Sequence, residues 1–184
     1  MSNKFFLDMD GVVADWVGNA ANVIGRRITD PTVMYSREEW DLLRSDGRIF
    51  RDLPMMDRCD ELVGLARQYR DVLGWELNFL TAIPHNNDVP WTFHDKMAWA
   101  AKRFPDIPVH FGPYSEDKHK HCTVGDILVD DRYDNCTQWV DAGGVAFKVG
   151  IDLDSAILAV AEDLNSRLRE KAGMEARNLI LTTL

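Results

Sequence analysis

Long apolar runs are missing from this chain. No stretch approaches the roughly 18 residues needed to cross a bilayer as a helix, so a membrane partner is not expected. The start, Met1-Ser2-Asn3-Lys4, lacks a signal-peptide layout, because the apolar run that follows is short and ends in acids. A cytoplasmic protein is the expectation. Cysteine is scarce: Cys59, Cys122 and Cys136 stand far apart, with no Cys-x-x-Cys pair. That excludes a disulfide framework and a zinc ribbon. Runs of positive charge are also absent, Arg26-Arg27 being the densest pair, and the net charge is −9. An acidic chain without a basic patch repels polymeric nucleic acid. No internal repeat and no low-complexity segment is present.

What the chain does have is apolar content enough for a core, 46% of 184 residues. That length fits one domain, or one core with a small insertion. Apolar runs predict strands over 4–8, 75–80, 108–111, 127–129 and 145–149. Helical spacing predicts helices over 14–27, 57–69, 91–102, 135–142 and from Asp154 onward, the last burying Ile157, Leu158, Ala161, Leu164 and Leu168. Thr29-Asp30-Pro31 ends the first of these. Ser36-Arg37-Glu38-Glu39 is a capping box opening a further short helix to Leu43. Phe50-Arg51-Asp52-Leu53-Pro54 reads as an extended linker. Strands that alternate with helices favour a parallel sheet covered on both faces, an α/β Rossmann-like three-layer fold. The mainly helical run between the first two strands breaks that alternation. It reads as a helical cap over 15–70, inserted into a core formed by 1–14 and 71–184.

The chemistry lies at strand ends. Phe5-Phe6-Leu7 runs into Asp8-Met9-Asp10-Gly11, Leu80 into Thr81, and Ile127-Leu128-Val129 into Asp130-Asp131; Lys118 and Lys120 stand in a polar loop. The C-terminal ends of parallel strands share one edge of the sheet, so these groups converge across more than a hundred residues. Carboxylates gathered without neutralising bases are costly unless a cation joins them. An all-oxygen set suits Mg²⁺ better than Zn²⁺. A carboxylate can attack phosphorus, a second can move the proton, and a hydroxyl with a lysine can hold the phosphate.

Asp8-Met9-Asp10-Gly11-Val12, the strand-end Thr81, the loop lysine and Gly125-Asp126-Ile127-Leu128-Val129-Asp130-Asp131 resemble the four ordered motifs of the haloacid dehalogenase (HAD) superfamily. The resemblance covers roughly 4–150. The opening Asp-Met-Asp-Gly-Val-Val-Ala-Asp-Trp, Phe50-Arg51-Asp52-Leu53 and Lys96-Met97-Ala98-Trp99 are similar to the 5′(3′)-deoxyribonucleotidase branch. The resemblance implies that Asp8 is a nucleophile forming an aspartyl-phosphate and that Asp10 is the general acid and base. It implies a Mg²⁺ site from Asp8, Asp10 (by its backbone carbonyl), Asp131 and Asp130. Thr81, the Ala82 N–H, Lys118 and Lys96 would hold the phosphate, and Trp16 would lie over the base, with Phe50 and Tyr35 as further cap contacts. Members that act as dehalogenases lack a carboxylate at the place of Asp10, so its presence favours phosphoryl transfer. The implied activity is a phosphomonoesterase, most narrowly a 5′(3′)-deoxyribonucleotidase acting on a small nucleotide.

Two departures stand out. Asp117-Lys118-His119-Lys120 offers two lysines for one role, Lys118 matching the branch's Asp-Lys pair and Lys120 the spacing to Gly125-Asp126; Lys118 is preferred. Thr81-Ala82 replaces the branch's Thr-Ser. Other readings stay open: a phosphatase of another metabolite such as a sugar phosphate, an idle phosphate-binding module, or an end-processing nucleic-acid phosphatase, which the acidic charge disfavours. The oligomeric state is open too, a homodimer being one option. His119, His121 and Cys122 read as loop residues rather than a zinc site, Asp126 as structural, and Asp15 as a helix-start charge.

Overall fold

A computed structural model describes residues 2–28, 33, 35–85 and 89–182, with side chains through 177. Five strands form one sheet: β1 (Lys4–Leu7), β2 (Glu76–Thr81), β3 (Val109–Phe111), β4 (Ile127–Asp130) and β5 (Val145–Lys148). Their order is β3-β2-β1-β4-β5, and every pairing is parallel. Phe5, Leu7, Leu77, Phe79, Leu80, Ile127, Leu128 and Val129 are all buried. Burial on both faces is why these strands read as continuous apolar runs rather than alternating ones. The chain is thus α/β and Rossmann-like, as its alternation of elements predicts. β1, which carries the acidic pair, lies at the centre between β2 and β4. No helix among the described residues is long and apolar enough to cross a membrane.

The helices are α1 (Trp16–Ile24), α2 (Arg37–Ser45), α3 (Cys59–Leu73), α4 (Thr92–Arg103), α5 (Tyr133–Asp141) and α6 (Asp154–Thr182). α2 opens with the expected capping box: Ser36 accepts from the Glu39 N–H, and Glu39 accepts from the Ser36 N–H. Asp15 is the N-cap of α1, accepting from the Gly18 N–H at 2.8 Å. The Thr29-Asp30-Pro31 stop lies outside the described residues. α1 and α2 pack on each other. α3, inside the expected cap segment 15–70, has β2 and α6 as its neighbours instead. Tyr69 of α3 donates to Asp163 of α6 at 2.7 Å.

Three expectations need correction. Residues 49–51 form a turn rather than an extended linker, with the Arg51 N–H donating to the Arg48 carbonyl. Leu158 is 61% exposed, because α6 turns that face to solvent while Ile157, Val160 and Leu164 face the core. The polar loop before β4 folds into a 3-10 helix over Ser115–His121.

The segment between β1 and α3 is pinned together at its two ends, outside the sheet. Ala14 forms an antiparallel bridge with Met55. The Asp15 N–H donates to the Pro54 carbonyl at 2.9 Å, and the Met56 N–H to the Val13 carbonyl at 3.0 Å.

Candidate active site

The loop after β1 is set by one glycine. Gly11 has φ of 75°, a region that favours glycine. A Cβ built there would lie 2.4 Å from Asp131 Oδ2. Only a residue without a side chain lets the β1 loop approach the acid that follows β4.

Asp8, at the end of β1, is buried. Its Oδ1 accepts from the Met9 N–H at 2.7 Å and contacts Lys118 Nζ at 2.8 Å. Its Oδ2 accepts from no described residue. Lys118 is 2% exposed and donates also to Asp130 Oδ2 at 2.7 Å. Burial alone would lower the Lys118 pKa, but the Asp130 and Asp8 carboxylates overcome this and hold it above the ordinary value. Lys120 is 65% exposed and pairs with Asp117. Of the two lysines, the structure therefore brings Lys118 to the acids.

Asp130 is fully buried. It accepts from Asn135 Nδ2 at 2.9 and 3.0 Å and from the Arg132 N–H at 2.9 Å. Asn135, on α5, was not singled out by the sequence; its signal is a lone amide on the inward face of an amphipathic helix, five residues after the acid. Burial raises the pKa of Asp130, partly offset by Lys118. Burial and the neighbouring Asp130 and Asp8 charges push Asp131 well above the usual carboxylate range. Carboxylate oxygens of Asp8, Asp130 and Asp131 lie within 4.8 Å of one another. Among the described residues this is the one cluster of such groups. His119, His121 and Cys122 instead contact the backbone oxygens of Glu116, Phe111 and Thr123.

Lys96 gathers a second cluster. Lys96, on α4, is 1% exposed. It donates to Asp10 Oδ2 at 2.6 Å, Thr81 Oγ1 at 2.8 Å and the Ala82 carbonyl at 2.8 Å. Lys96 is thus buried, and its three donors are spent on protein atoms. Asp10 Oδ1 is buried without a hydrogen-bond partner. Burial raises the Asp10 pKa, with Lys96 opposing it. Thr81 is fully buried at the end of β2.

The aromatic residues meet nearby. Trp16 and Phe50 stack at 4.6 Å with planes 3° apart. Trp40 and Tyr35 pack on Trp16 at 6.1 and 5.9 Å. Phe50 is 2% exposed, and the Lys96 ammonium stands 5.1 Å from its ring centroid. Phe50 is therefore enclosed between Trp16 and Lys96. A further pair was not anticipated: Arg48 grips the buried Asp95 of α4. Its signal lies in α4, where Trp91, Asp95, Trp99 and Arg103 recur every four residues along one face.

Asp8, Asp130, Asp131 and Lys118 form one side of the site, and Asp10, Thr81 and Lys96 the other. The named side chains carry two more carboxylates than ammonium groups. Buried acids, two lysines and a hydroxyl at the C-terminal edge of a parallel sheet are groups that could hold a cation beside an anion. No family model matches the chain. Relatives from two strains of Staphylococcus epidermidis, named "Putative 5'(3')-deoxyribonucleotidase", are 27% identical over 144 residues, covering 70% of this chain and 74% of theirs.

Proposed function

We propose that the protein is a phosphomonoesterase of small nucleotides, with deoxyribonucleoside 5′-monophosphates as first choice. The observation that carries this is Asp8. One of its oxygens is fixed by Lys118 and the Met9 N–H, and the other is left without a protein partner. A carboxylate so held presents one oxygen to an incoming phosphorus atom.

Asp8 Oδ2 attacks phosphorus as the bond to the leaving oxygen breaks, giving an aspartyl-phosphate. Asp10 Oδ1 gives that oxygen its proton. In the second step water attacks phosphorus and gives a proton to Asp10 Oδ1, and the bond to Asp8 breaks to restore the carboxylate. The Thr81 hydroxyl donates to a phosphate oxygen, and Lys118 offsets the repulsion between the Asp8 carboxylate and the dianion. Asp8 and Asp131 would hold a Mg²⁺ ion, the Asp10 carbonyl completing the set by resemblance, while Asp130 beside them has both oxygens taken by Lys118, Asn135 and the Arg132 N–H. Such an ion would supply positive charge against the developing negative charge on the phosphoryl oxygens. The relatives' name and the sequence resemblance point to the same substrate class.

A second reading, a phosphatase of a sugar phosphate or similar metabolite, is favoured by one observation. Trp16 and Phe50 are already in contact, which leaves no slot between them for a base. Phosphate release with and without Mg²⁺ across nucleoside monophosphates and sugar phosphates decides between the two. Deoxyribonucleotides should give the highest kcat/KM, and Asp8→Asn should reduce turnover to background. Sugar phosphates as the best substrates would establish the second reading. Release that survives Asp8→Asn would remove both.

A further inference from the structure

Lys96 is a buried cation at the centre of the site, yet the reaction above gives it nothing to hold. An ammonium has three N–H donors. Here they go to Asp10 Oδ2, Thr81 Oγ1 and the Ala82 carbonyl at 2.6, 2.8 and 2.8 Å. None is left for a phosphate oxygen. We propose that Lys96 is a positioning residue that presets Asp10, with Thr81 Oγ1 and the Ala82 carbonyl as its anchors, and not a ligand of the substrate phosphate. The inference rests on the phosphatase reading and corrects one expectation within it.

Each partner is left with one function by this contact. Asp10 has Oδ2 occupied and Oδ1 buried without a partner, so a single oxygen remains for proton transfer. Thr81 accepts from Lys96, so its hydroxyl proton is directed away from the ammonium and is free for an anion. The Lys96 side chain is held from several directions. It is 1% exposed, and the Phe50 ring stands beside it at 5.1 Å. Its helix is tied to the segment 47–53 on both sides of it. Trp91 Nε1 donates to the Gly47 carbonyl at 3.0 Å, and Arg48 binds Asp95. Trp99 Nε1 and Arg103 Nη2 both donate to the Leu53 carbonyl, at 2.8 and 2.9 Å. A lysine anchored this way has little freedom to swing toward a substrate.

An aryl phosphate separates positioning from phosphate binding. With p-nitrophenyl phosphate the leaving group needs no proton, so the first step is insensitive to Asp10, while hydrolysis of the aspartyl-phosphate still requires it. Lys96→Met should therefore release about one equivalent of nitrophenol per site in a burst and then turn over about 100-fold or more below wild type. Its inhibition constant for inorganic phosphate should stay within about threefold of wild type. Loss of the burst together with a rise of about tenfold or more in that constant identifies a phosphate ligand and overturns the proposal. The Asp10→Asn/Lys96→Met pair provides a second test, because it leaves no buried charge unpaired if the single variant fails to fold. Adding Lys96→Met to Asp10→Asn should lower turnover by no more than about threefold. A further loss equal to that of Lys96→Met in the wild-type background overturns it. If wild type releases no phosphate, or Asp8→Asn retains turnover, the phosphatase reading falls and this inference with it; additive losses over an active wild type remove this inference alone.

Discussion

Strand β4 has a buried aspartate at either end, and the two are held in opposite ways. Asp126, just before the strand, accepts from the Lys4 N–H at 2.8 Å and the Thr123 N–H at 2.9 Å, one oxygen to each. It ties the start of β4 to the start of β1 and has no acid beside it in its cluster of contacts. Asp130, at the other end, shares Lys118 with Asp8 and lies against Asp131. Only Ile127-Leu128-Val129 separates a carboxylate satisfied by neutral amides from one crowded with like charges. Burial alone therefore does not mark a reactive acid, since both are buried. What distinguishes them is whether the donors nearby suffice for the carboxylates present.

The largest effect should come from the crowded end. Asp130→Asn leaves Lys118 with one carboxylate instead of two and should lower turnover by about 10–100-fold, read as kcat/KM for the best phosphate ester. A loss below about threefold would erase the distinction between the two ends. Next comes the ion. Mg²⁺ at about 100 times its Kd should stabilise the protein by about 2.7 kcal/mol, or roughly 5–10 °C in Tm for a chain of this size. Asp131→Asn should remove most of that shift, and Asp126→Asn none of it. At the quiet end, Asp126→Ala strips the acceptor from two backbone amides. It should cost about 1–3 kcal/mol in denaturant unfolding while kcat stays unchanged.

The smallest effect is one of pH. Burial and the adjacent acids raise the Asp131 pKa above its ordinary value of about 3.9. Such a group takes its proton in the folded state before it does in the unfolded chain. In a chelator, lowering the pH from neutrality through that raised value should stabilise wild type, and the gain is complete below the ordinary value. The difference in Tm between wild type and Asp131→Asn isolates this contribution. It should move in favour of wild type as the pH falls; a difference that moves the other way would contradict the crowding.

The sequence made one half of the site legible and much of the other half only in name. Asp8, Asp10, Thr81 and Asp130-Asp131 end apolar strands, and a parallel sheet aligns such ends whatever lies between them. Lys118 was preferred to Lys120 by resemblance alone, and the 3-10 helix over Ser115–His121 supplies the physical reason by turning the first inward and leaving the second in solvent. Lys96 was recognisable as a candidate, but its partners are 86, 15 and 14 residues away, and no local pattern states that all three donors are used. The Arg48–Asp95 pair, 47 residues apart, was missed for the same reason, whereas Asn135 stands five residues from Asp130 and needed only the inward face of α5 to be read. Phe50 suggested a base platform because it is aromatic, and only packing revealed that its faces are taken by Trp16 and Lys96.

The bridge between Ala14 and Met55 carries a consequence for how such a protein diversifies. The chain leaves the loop after β1 at Ala14 and comes back against it at Met55, so whatever is spliced between them closes its own loop. Lengthening that stretch adds only a slowly growing entropic penalty and leaves the strand order untouched. Selection for a new leaving group could therefore rewrite residues 17–46 while the 47–53 segment keeps its hold on α4 and the acids at the sheet's edge remain in register.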